Sequence, residues 1–117
     1  MTKKHNTLSI PVIFTFLFLF AVTGSAAEDK GKMLFTEMKC SMCHAPQEDQ
    51  KRGPSLQHIA SAYGFGGENA LFQYFVDGVE PIVAPERAKT MKSKLLRIQK
   101  LTETEQKALA GYIMEFL

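Results

Sequence analysis

Cys40-Ser41-Met42-Cys43-His44 is the stretch on which the reading of this chain turns. Two thiols three residues apart with an imidazole directly after them suit few chemistries. A thioredoxin-like redox pair also uses C-x-x-C, but it sits in a βαβ framework, and no alternating or β-branched run follows residue 28. A zinc site assembled from Cys40, Cys43, His44 and His58 is a formal alternative, although a histidine adjoining the second cysteine departs from finger spacing. A disulfide across two intervening residues would close a tiny loop and stabilise little. The remaining reading is covalent haem attachment. In it, Cys40 and Cys43 add to the two vinyl groups, and His44 is held beneath the iron as its proximal ligand.

Upstream, Met1-Thr2-Lys3-Lys4-His5 is a basic lead. An uncharged apolar run from Ile10 to Val22 follows, then the small residues Gly24-Ser25-Ala26-Ala27 and the acidic Glu28-Asp29. This order predicts a secretory signal peptide over residues 1–27, with a domain over 28–117 exported to the periplasm. An uncleaved anchor is the alternative, because Leu8 to Ala27 is long enough to span a bilayer. Lys3 and Lys4 account for the whole formal charge of +2, so the mature domain is neutral and nucleic acid is not an expected partner. With 117 residues in all, the chain holds one small domain, of the size that usually needs a disulfide, metal or cofactor to add stability.

Around the motif the pattern is helical. Leu34, Phe35 and Met38 share a face of a helix over Lys30–Met38. Leu56 to Tyr63 reads as a short helix ending at Gly64. Glu68 to Val76 reads as another, with Leu71, Phe72, Phe75 and Val76 on one face and Asp77-Gly78 as its stop. Residues 78–90, broken by Pro81 and Pro85, are expected to be an irregular loop, with Leu95, Leu96, Ile98 and Leu101 packing beyond it. Thr102-Glu103-Thr104-Glu105 is a capping box, followed by the stripe Ala108, Leu109, Tyr112, Ile113 and Phe116. Gly111 interrupts that last helix, marking either a close contact or a tolerated surface position. The expectation is an all-α fold of three to five helices around one prosthetic group.

From Gly31 to Phe116 the chain resembles a class I c-type cytochrome, the small single-haem family with a helix at each end and C-x-x-C-H near the front. The resemblance implies one covalently bound haem c on Cys40, Cys43 and His44, and a hydrogen bond from the His44 ring to the Pro54 carbonyl. Such a bond fixes the tautomer and strengthens the nitrogen on iron. It also implies that Gly31 and Phe35 pack against Tyr112, and that Met91, in the loop before the last helix, is the sixth ligand. Unlike many relatives, the chain has Lys92 rather than proline after that methionine.

With both axial positions filled, the implied role is not catalysis. It is outer-sphere transfer of single electrons between a donor and an acceptor redox protein, either of which could be membrane-bound. The alternatives are a haem subunit of a larger periplasmic oxidoreductase, or a haem sensor with an open sixth site; the chain would be a monomer or a subunit accordingly. Tyr63, Phe65, Phe72, Tyr74 and Phe75 are expected to wall the haem. Arg87, Lys89, Lys92, Lys94, Arg97 and Lys100 form a basic surround for Met91 suited to an acidic partner.

Overall fold

A computed structural model describes residues 26–50 and 52–117. The expected export segment lies outside them except for Ala26 and Ala27. Five α-helices, α1 (Ala26–Glu37), α2 (Leu56–Tyr63), α3 (Glu68–Asp77), α4 (Ala88–Ile98) and α5 (Glu103–Met114), follow one another with 3₁₀ turns at Cys40–Met42 and Pro85–Arg87. Among the described residues there is no strand, only one antiparallel bridge between Gln50 and Gly53.

Helices α1 and α5, the first and last among the described residues, cross. Gly31 makes the crossing possible, since a Cβ there would overlap the Ala108 carbonyl oxygen and lie 2.7 Å from Tyr112 Cβ. Beside it the Phe35 and Tyr112 rings pack at 5.4 Å with a 57° tilt. Leu34, Leu109, Ala110 and Ile113 continue the buried seam, joined by Leu71 and Phe75 from α3 and Leu56 from α2.

The helix ends have local causes. Thr102 accepts from the Glu105 amide while Glu105 accepts from the Thr102 amide, a complete capping box. Gly78 ends α3 in the left-handed region at φ 63°, its N–H bonded to Tyr74 O. Ser55 caps α2 by accepting from the His58 amide.

The largest departure from the sequence reading is α4, which replaces part of the expected loop and carries Met91 in its first turn. Its first residue is preceded by Arg87, which makes no side-chain cap, so no start signal marks it. Its end is held from outside instead: Gln106 Nε2, buried in α5, donates to Ile98 O at 3.1 Å. Ile98 is buried and Leu95 half-buried, but Leu96 turns to solvent because it lies off the face these two share. Val76 is likewise exposed at the end of α3.

Gly111, by contrast, makes no tight approach. A Cβ there would meet only the Glu68 carboxylate, at 3.5 Å.

Candidate functional site

α1 delivers the cysteines. After Glu37 the chain reverses through Lys39, a non-glycine residue at φ 58° and ψ 33°. This left-handed step is strained for a lysine and aims the next turn back toward the core. Cys40 is thereby buried and Cys43 half-buried, and no disulfide joins them. Burial pushes the Cys40 thiol above its ordinary range, against the pull of the nearby Lys94 ammonium. Lys94 reaches across from α4, its Nζ donating to Met38 O at 3.0 Å.

His44 is oriented by the loop that follows. Its Nδ1 lies 2.8 Å from Pro54 O. A carbonyl oxygen only accepts, so Nδ1 carries the proton and Nε2 is left as the lone-pair nitrogen. Gly53 makes room for the ring, since a Cβ there would sit 3.0 Å from both His44 Cε1 and Cys43 O. Sequence reasoning picked out Gly53-Pro54 through the family resemblance; the ring's need for a bare backbone at 53 is visible only here.

These residues open onto one cavity, lined by Cys40, Cys43, His44, Pro54 and Met91 together. Tyr63, Tyr74 and Phe75 contribute to its wall, as do Phe35, Leu109 and Ile113 from the α1–α5 seam. Two of the expected wall residues do not. Phe65 stands 96% exposed in the α2–α3 turn, where Gly64 and Gly66 adopt positive φ and carry it outward. Phe72 instead lies under Lys107 of α5, with Nζ 5.2 Å from the ring centroid.

The charges at the wall have one sign. Lys39, Arg52, Arg87 and Lys94 line the cavity, and no aspartate or glutamate does so among the described residues. Lys89, Lys92, Arg97 and Lys100, from the basic run around Met91, are exposed outside it. Sequence reasoning missed Lys39 and Arg52, which lie far from that run along the chain. His58 lies away from the cysteines, its Nδ1 3.0 Å from Asp49 Oδ2. No group of three or more His, Cys, Asp or Glu among the described residues could hold a metal ion, so the zinc alternative has no geometric support.

A cavity with apolar walls, a basic rim, two thiols and an imidazole with its outer nitrogen already bonded fits a porphyrin that carries carboxylates and needs an axial base. The Cytochrome c family model matches residues 28–116. The chain belongs to the cytochrome c family. This cytochrome is of the class I type, with an all-helical fold, and binds covalently attached haem c as an electron carrier. Redox proteins are its partners in general terms. A search of curated proteins found no match.

Proposed function

We propose that this cytochrome is an exported, periplasmic protein that passes single electrons between redox proteins by outer-sphere transfer, with the iron held between His44 and Met91 and the porphyrin fixed through Cys40 and Cys43. One observation carries the reading: among the described residues, Met91 is the only methionine lining the cavity that also holds the C-x-x-C-H residues. Met33 and Met42 are exposed, Met38 is buried in the core, and Met114 packs against the core outside the cavity wall.

Haem held this way supplies a one-electron ferric/ferrous couple, whose potential a methionine/histidine pair raises relative to two histidines. The chain's part is to bind, orient and shield. Pro54 O keeps the His44 ring in one tautomer and orientation, and the apolar wall limits water, which keeps rearrangement on electron transfer small. Exposed Lys89, Lys92, Arg97 and Lys100 give the Met91 side a positive field suited to steering an acidic partner.

The test is the optical spectrum of oxidised holoprotein. A weak near-red sulfur-to-iron band is expected in the wild type and in Met114→Ala, and lost in Met91→Ala. Its survival in Met91→Ala would overturn the ligand assignment. Reduced wild type is expected to bind carbon monoxide poorly; ready binding would favour the sensor alternative. Mass spectrometry of the exported product, expected to start near Glu28, checks the signal segment.

A further inference from the structure

Pro54 O and Ser55 N–H belong to the same peptide unit, and both ends of that unit are held. At one end the carbonyl accepts from His44 Nδ1 at 2.8 Å. At the other, the Ser55 amide donates to Asp49 Oδ1 at 2.8 Å. Ser55 is 2% exposed, so its amide has little access to a water in place of that carboxylate. The surrounding amides are occupied elsewhere: Leu56 N–H bonds to Ala45 O at 2.8 Å, Gln57 N–H to Pro46 O at 3.0 Å and His58 N–H to Ser55 Oγ at 3.0 Å. Asp49 is itself steadied by His58, whose Nδ1 lies 3.0 Å from Oδ2. The Ser55 amide, with His58 behind it, holds the Asp49 carboxyl below the usual carboxylate range, so it is an anion at neutral pH.

We infer that Asp49 is a positioning residue for the haem ligand, acting on His44 through the Pro54–Ser55 peptide. An anion accepting from the amide hydrogen draws the peptide's electron density toward its oxygen and makes that oxygen a stronger acceptor. The stronger acceptor pulls on the His44 Nδ1 proton and raises the basicity of Nε2. A more basic axial nitrogen favours ferric over ferrous iron, so Asp49 lowers the reduction potential. The geometric part acts in the same direction, because the clamp keeps the carbonyl aimed at the ring.

The inference rests on His44 ligating haem, and the experiment separates the two. Holoprotein is prepared as wild type, Asp49→Asn, Asp49→Ala and Glu48→Gln, with far-ultraviolet circular dichroism as the check on folding. The Asp49→Asn variant keeps an oxygen for the Ser55 amide and loses the charge; the Asp49→Ala variant loses both. Glu48→Gln removes an equal charge from the neighbouring exposed side chain and leaves the clamp intact. The readouts are the reduction potential and the solvent exchange of the His44 ring N–H by NMR. The potential is expected to rise in Asp49→Asn and further in Asp49→Ala. Ring N–H exchange should quicken by about tenfold in Asp49→Ala, the factor that one hydrogen bond of ordinary net strength controls. Glu48→Gln should leave exchange unchanged and move the potential less. Wild-type exchange and potential in both Asp49 variants would overturn the inference while a haem c spectrum keeps the ligand reading intact. Equal potential shifts in Glu48→Gln and Asp49→Asn would also overturn it, by reducing the effect to charge across space. A wild-type product without that spectrum overturns both.

Discussion

Between Cys40 and Ile59 the described backbone is repeatedly bonded to itself, from Cys43 N–H on Cys40 O to Leu56 N–H on Ala45 O and Gln57 N–H on Pro46 O. Between Val79 and Arg97, on the opposite stretch of the cavity wall, no residue is buried. That second region is tied to the rest by half-buried Met91 and Leu95 against the core and by reaching groups such as Lys94 on Met38 O and Arg87 Nη1, 3.4 Å from Gln50 O. Buried anchoring arrives only at Ile98, which is 1% exposed. The His44 side is therefore a frame that local geometry closes, whereas the Met91 side is a strap fastened at its end. A ligand on a frame keeps its place without help, but a ligand on a strap depends on the fastening.

The largest test of this contrast is Ile98→Ala. Truncating a fully buried isoleucine costs about 2–5 kcal/mol, and the loss should appear in the guanidinium midpoint of the holoprotein. Leu96→Ala, two residues away but exposed, should stay within about 0.5 kcal/mol. Equal effects from the two would break the contrast. Next comes Gly31→Ala, on the α1–α5 crossing, where the obstructing Ala108 oxygen is backbone and cannot swing aside. Forcing the helices apart should cost about 1–3 kcal/mol, measured the same way.

Gly111→Ala, on the same α5, should have the opposite sign. Its Cβ meets only a flexible carboxylate, so replacing a helical glycine should stabilise by up to about 1 kcal/mol. A loss at 111 would mean that the Glu68 carboxylate of α3 does not give way to the added methyl.

The smallest effect is acid sensitivity. Asp49 is held below its ordinary range by the Ser55 amide and then by His58, and Glu105 by the Thr102 amide and then by Lys30. Each stabilises the fold above its unfolded pKa and loses that contribution as pH falls through its lowered folded value. Glu115, pushed up by burial and by Glu28, works the other way: it weakens the fold at neutral pH and ceases to do so once protonated. Denaturation midpoints between about pH 5 and pH 2 should therefore fall for wild type, and less steeply for Asp49→Asn. An unchanged slope in that variant would show that the carboxylate does not stabilise the His44-side loop.

The parts of the fold readable in the sequence are those whose causes lie within a few residues. The Thr102 capping box, the Asp77-Gly78 stop and the Gly64 terminus each close a hydrogen bond locally, so residue type alone announces them. Helix α4 has no such announcement. Its capping partner is Gln106 and its packing partners lie on other helices, so the two prolines before it dominate the reading. Side-chain direction was equally hidden: Phe65 and Phe72 belong to the same aromatic stretch as Tyr74 and Phe75, yet backbone rotation sends them elsewhere.

The sequence by itself pointed to the attachment chemistry, because Cys40, Cys43 and His44 fall within five residues and their spacing is local. Which methionine shares their cavity, which cations rim it, and which carboxylate stands behind the Pro54–Ser55 peptide were decided by the tertiary structure. Those relations join residues separated by other elements, and only packing determines which of them meet.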